Sequence, residues 1–347
     1  MFDHRHYVPV LRWKQAEWLA LRDLANAERA RIPPLLEFVP QSFGSPCEKM
    51  ADQILRSWGH GPFFAEYGLL DDPRVPTHAS TRIRRLAEEA LRRNLCLIPV
   101  TGLDRTPEYQ SAVRTVADMC GRGVCIRLQR EDTQRSQLRS ALTRLLDGLG
   151  HSEQDTHLVA DYRLVEAGAP DLRNICSGIP GLHTWQTLSV TCGAFPPDLS
   201  RLQKNRRHIL PRADWLNWRN QVLTMPSLPR IPTFGDYTIQ NPRYAPREGP
   251  CNYSASIRYT TDEHWIVMRG EGVFNVDGPG FDQYHGNAVL LCASEEYSGP
   301  DFSAGDRYIA EKQNPQTSPG NAASWLRAGF NHHLTFVARQ ISNLFAS

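Results

Sequence analysis

The sequence predicts an α/β fold, a TIM-like (β/α)8 barrel with an elaborated C-terminal region. Two observations predict it. Apolar, β-branched-rich runs recur roughly every 30 residues through the first two thirds of the chain, and a helix-like stretch follows each one. Parallel strands need a crossover of a dozen or more residues, and a helix on this period supplies it. The length, 347 residues, allows two or three domains, but barrels commonly exceed 200 residues as one unit, so a single domain over 1–347 is the simpler reading.

Seven runs carry the pattern: residues 7–13, 32–39, 62–67, 95–100, 124–128, 157–162 and 187–192. In the first helix Trp18, Leu21 and Leu24 are spaced to face the barrel, with Arg22, Asp23 and Glu28 toward water. Amphipathic segments at 51–58, 82–93, 111–119 and 137–149 are the next scaffold helices. Gly168, Pro170, Gly178, Pro180 and Gly181 then interrupt the pattern and predict an irregular loop.

Past residue 193 the rhythm changes. Residues 194–254 read as an irregular insertion, containing a basic run at 201–208, Trp215 and Trp218 on a short helix, and a stretch from 226 to 250 too rich in Pro for regular structure. The eighth strand is assigned to 255–261, with 231–234 as its competitor. Residues 271–347 form a C-terminal extension that includes a Gly-rich loop, an apolar run at 288–292 and a terminal helix.

Composition bounds the function. Lys plus Arg number 39 against 37 Asp plus Glu, so a net charge of +2 makes no case for a wholesale nucleic-acid or membrane partner. No run reaches the roughly 20 apolar residues of a membrane span, and the N-terminus lacks a signal-peptide core, so a cytoplasmic protein is expected. Cys96, Cys125 and Cys192 fall in expected strands, and no pair has CxxC spacing; the cysteines read as reduced thiols, and Cys120 and Cys125 as flanking a turn. HExxH, Walker A, GxGxxG and GxSxG are all absent.

Barrels place their chemistry at the C-terminal ends of the strands. Lys14, Glu37, Glu66, Arg127 and Asp161 each fall at or near such an end, which is costly for a buried charge unless it is paired or used. They are the catalytic candidates: carboxylates as acid and base or as holders of a divalent metal (Mg or Mn), and cations for an anionic substrate. Salt bridges capping the barrel are the competing structural reading, and charges that pair with one another would favour it or a binding role. Lys14 is read by default as an anion clamp.

Lys204, Arg206, Arg207 and Arg212 follow strand seven, near where barrels often bind phosphate, and Trp215 and Trp218 are placed to stack on bases; a solvated face and core aromatics are the plainer readings. Asp236 and Tyr237 lie in the Pro-rich loop, from which Asp236 can reach the mouth as another carboxylate; a plain turn is the equal alternative. His332-His333 is a conspicuous pair, but adjacent helical side chains diverge, and the plainer reading makes Asn331 a helix cap.

The opening Tyr7-Val-Pro-Val-Leu-Arg-Trp-Lys14 with Glu17 and Ala20-Leu21, the strand Ile32-Pro-Pro-Leu-Leu-Glu37, then Arg258-Tyr259, Trp265, Arg269-Gly270 and Asn331-His-His-Leu334, resemble the phage T4 beta-protein-like family, called "beta family protein" in bacteria. That resemblance implies one unit over nearly the whole chain. Members occur in phages and bacterial genomes, sometimes in mobile or defence-like neighbourhoods, and no activity is settled for them, so it implies a role in phage–host conflict without naming a reaction. The combined expectation is a hydrolase- or phosphodiesterase-like barrel acting on a phosphorylated or other anionic small molecule or nucleotide. Arg206, Arg207, Asp236, Tyr237, Arg258 and Tyr259 are its candidate substrate contacts. A non-catalytic sensor, or a nucleic-acid binder through 201–218, is the alternative.

Overall fold

A computed structural model describes residues 2–42, 44–75, 77–165, 172–224, 228–246, 249 and 252–346. Eight parallel strands close a barrel: β1 (Tyr7–Arg12), β2 (Leu35–Glu37), β3 (Pro62–Glu66), β4 (Cys96–Thr101), β5 (Val124–Gln129), β6 (Thr156–Leu164), β7 (Thr187–Gly193) and β9 (Thr233–Asp236). The last of these pairs with β7 on one side and β1 on the other. Around them run α1 (Gln15–Arg22), α2 (Asn26–Arg29), α3 (Cys47–Ser57), α4 (Thr77–Arg92), α5 (Pro107–Cys120), α6 (Arg130–Thr133), α7 (Leu138–Leu149) and α8 (Leu172–Gly178).

The eighth barrel strand is therefore the competitor, near 231–234, and not 255–261. The Pro-rich stretch leaves just enough regular backbone for a short strand, because both neighbours supply its hydrogen-bond partners. Residues 255–260 instead lie in β10 (Ser254–Thr260), which pairs antiparallel with β11 (His264–Gly272); β8 (Arg206–Pro211) completes this second, three-stranded sheet. The insertion at 194–254 thus contributes a strand to each sheet. Behind the small sheet pack α10 (Gln283–Cys292), which includes the apolar run at 288–292, α11 (Ala304–Glu311) and the long α12 (Ala322–Leu344).

Alternation along the strands builds two cores. Val8, Val10, Leu35, Phe64, Ile98, Val100, Cys125 and Val159 fill the barrel, with Phe2 stacked on His157 at its N-terminal end. Leu11, Leu36, Phe63, Leu97, Ile126 and Leu158 face outward to the helices. Gly235 is required where β9 closes the ring, since a Cβ there would lie 2.6 Å from the Val8 carbonyl and 2.5 Å from Thr191 Oγ1.

Other expectations need correction. Glu28 is buried and ion-paired with Arg339 of α12, not solvated, and Trp18 is only partly buried. Asn331 lies inside α12, whose cap is Asn321; its side chain accepts from Gly305 N–H and donates to the Ala20 carbonyl. Cys96 is half-buried, whereas Cys125 and Cys192 are buried, and the described cysteines are free thiols. Gly168, Pro170, Pro226 and Pro250 lie outside the described residues.

Candidate functional site at the barrel mouth

The innermost layer at the C-terminal strand ends is charged. Arg127 projects from β5 with its guanidinium wholly buried, and it is the hub. Nη1 donates to Glu37 Oε1 at 3.2 Å and to Glu66 Oε2, Nε and Nη2 both donate to Asp161 Oδ2, and Nη2 also donates to the Tyr237 hydroxyl at 2.6 Å. Tyr237 passes its own proton on to Asp161 Oδ2, at 2.6 Å. Glu37, Glu66, Arg127, Asp161 and Tyr237, singled out in the sequence, are thus brought together from β2, β3, β5, β6 and the end of β9.

Two further arginines complete the lattice. Arg105 donates to Glu66 Oε1 at 2.6 Å, and Arg12 Nε lies 3.5 Å from Glu37 Oε2. Burial raises the Glu66 pKa, but Arg127 and Arg105 outweigh it and hold the carboxyl at about 2. Asp161 Oδ1 accepts from the Arg163 backbone N–H at 2.8 Å, where β6 slips register and Arg163 takes φ 52°. Glu37 Oε2 alone among these carboxylate oxygens has no hydrogen-bond partner. Three more buried polar atoms of this layer, Arg12 Nε, Arg105 Nε and Gln129 Nε2, also lack one.

A loop following β9 roofs the layer. Arg12 Nη2 donates to the carbonyls of Asn241 and Pro242, and Nη1 to Gln240 Oε1; Gln240 in turn donates to Glu17. Arg12 and Lys14 both rest on the Tyr244 ring, at 5.3 and 5.2 Å from its centre. Lys14 is on the rim and has no place in the lattice. Desolvation lowers its ammonium pKa, with Glu17 opposing.

The other candidates lie elsewhere. Asp236 points outward from the barrel to α12, bonded to His333 and Tyr7. Tyr259 is buried under α12, donating to Asp306 and stacked on His332 at 3.8 Å. Arg258 packs on Phe195 and donates to the Ile239 carbonyl. Arg206 and Arg207 are exposed on β8, the latter paired with Glu296. Arg212 is fully buried, and Trp215 and Trp218 stack on each other against Phe234, so none of these three can meet a nucleic acid.

The carboxylates read as candidate metal ligands are spent on a guanidinium: Arg127 sits where a divalent cation would have to lie. Among the described residues no cluster of His, Cys, Asp or Glu is disposed to hold a metal. Sequence reasoning missed Arg12, Arg105, Arg163 and Gln129. Arg12 and Gln129 end strands in the inward register of Val10 and Arg127 and were findable by parity; Arg105 and Arg163 are not, because they reach the layer from irregular backbone.

A cavity of about 1070 Å³ opens at the opposite, N-terminal pole, lined by Phe2, Ile98, His157 and Gln186. Strand-end chemistry in barrels belongs to the other face.

The family model described as Beta protein matches residues 7–339. No curated protein matches the chain. Among solved structures, a GH138 enzyme targeting pectin rhamnogalacturonan II is similar at 9% identity and a TM-score of 0.32, over 83% of this chain and 41% of that one; the chain thus spans less than half of its length. Among the described residues, no helix is long and apolar enough to cross a membrane.

Proposed function

The chain belongs to the Beta protein family, and on that premise we propose that it is a barrel enzyme hydrolysing a phosphorylated or otherwise anionic substrate at the C-terminal mouth. The observation that carries this reading is Glu37 Oε2, which accepts no hydrogen bond and has the Arg12 guanidinium 3.5 Å away. A carboxylate clamped by Arg127 through one oxygen, with its other oxygen beside Arg12 but accepting no hydrogen bond, is a positioned general base for water. Glu66, Asp161, Arg127 and Tyr237 hold it in place. Arg12 and Lys14, with the unpartnered amide nitrogen of Gln129, meet the anion when the Tyr244 loop lifts.

The test is release of product from nucleoside phosphates, cyclic nucleotides and sugar phosphates, with and without Mg²⁺ or Mn²⁺. Glu37→Gln is expected to lower kcat by about 10²-fold or more with the fold intact, and Lys14→Ala to raise KM. Full activity in both variants overturns the assignment.

One observation favours a second reading, a non-catalytic sensor in phage–host conflict. The mouth charges satisfy one another, and Glu66 is held near 2, far from the neutral pKa that acid–base work favours. Saturable binding of the same compounds without product selects that reading.

A further inference from the structure

We infer that His333, on the far side of the barrel wall, is a positioning residue that sets Tyr237 in the mouth. The inference rests on the reading of the mouth as a site, but its geometry stands independently. Asp236 and Tyr237 are consecutive, so their side chains leave β9 on opposite faces: Tyr237 inward to Arg127 and Asp161, Asp236 outward to α12.

The outward side is fully built. His333 Nε2 lies 2.9 Å from Asp236 Oδ2, and His333 Nδ1 lies 2.8 Å from Thr260 Oγ1 on β10. The carboxylate must accept, so Nε2 carries the proton and Thr260 donates to Nδ1. Tyr7 donates to Asp236 Oδ1 from the start of β1. Asp214 and the buried Arg212 act on Asp236 from α9 (Ala213–Asn217) and its N-terminal flank.

The next residue shows why this anchoring matters. Thr238 has φ 59°, a left-handed conformation that a β-branched side chain rarely adopts. Asp236 Oδ1 holds that turn by accepting from Thr238 N–H at 2.9 Å. The carboxylate oriented by His333 therefore fixes the backbone on both sides of Tyr237, and with it the hydroxyl that bridges Arg127 and Asp161. The C-terminal extension is by this route a structural part of the mouth.

The experiment uses the full chain labelled with [ζ-¹³C]tyrosine. The Tyr237 resonance is assigned by its loss in Tyr237→Phe. It is expected to shift in His333→Gln and in Thr260→Val, and to stay in place in Arg339→Ala, which breaks an ion pair on the same helix. Thr260→Val keeps the test decisive where His333→Gln fails to fold. A Tyr237 resonance unmoved in a folded variant overturns the inference. This readout needs no turnover, so it separates failure of the positioning role from failure of the enzymatic reading; where turnover is found, His333→Gln is expected to lower kcat with KM unchanged.

Discussion

Arg127 donates twice to one oxygen of Asp161, from Nε at 3.0 Å and from Nη2 at 2.7 Å, while its third nitrogen serves Glu37 and Glu66. One planar guanidinium thereby ties together carboxylates from three different strands in a layer closed to water. Removing it leaves the buried Asp161 without its cationic partner, and Glu66 and Glu37 with Arg105 and Arg12 alone, which costs far more than the net worth of the pairs. Arg127→Met is expected to destabilise the protein by about 3–5 kcal/mol in urea unfolding. Arg127→Lys is not expected to rescue it, because a point charge cannot reproduce the fork. A lysine variant as stable as the parent would show that the lattice needs only charge.

Two buried groups contribute to different ranges of the acid-stability profile. Burial lowers His157 to about 4, so the unfolded chain takes up its proton first, and stability falls as pH drops from about 6.5 to 4. Burial acts the other way on Glu66, but its arginine partners hold it at about 2, so its contribution is present above about 4.5 and is lost between 4.5 and 2. Each shift is on the order of 3 kcal/mol at most. Thermal unfolding against pH is expected to show a shallower upper slope in His157→Phe and a shallower lower one in Glu66→Gln. Unchanged slopes in both variants would contradict the assignment.

Barrel topology was legible because a buried parallel strand must be an almost continuous apolar run, and seven of the eight are. The eighth escaped first assignment because Thr233–Asp236 is short and polar, and it owes its pairing to β7 and β1 on either side. Strand-end position located Glu37, Glu66, Arg127 and Asp161, since burial makes charge there conspicuous. It could not tell that they bond to one another, which depends on strand register. Nor could it tell that Asp236 faces outward, because parity along a strand is readable only once the strand is known.

Gly235 closes the ring between β7 and β1 at a distance no side chain permits. Gly235→Ala would press a methyl against the Val8 carbonyl, and backbone cannot yield as a side chain does. The expected loss is about 1–3 kcal/mol, in the range of overpacked cores, and the urea midpoint measures it. An alanine variant of parental stability would mean that the strands have room to part.

The basic strip on β8 and the tryptophans that follow it in the sequence make separable predictions for nucleic acid. Trp215 is sealed against Trp218 and Phe234, so Trp215→Ala is expected to cost about 3–5 kcal/mol of stability. It is expected to leave any oligonucleotide affinity unchanged in the folded protein. Arg206 and Arg207 are exposed, and an electrostatic complex through them would weaken steeply with salt. In filter binding to a single-stranded oligonucleotide, replacing both with Ala is expected to reduce the slope of log affinity against log salt by about 0.7 for each phosphate the two arginines neutralise. If folded Trp215→Ala weakened binding while the double arginine variant did not, the strip would not be the binding surface, and stacking on an opened α9 would have to replace it.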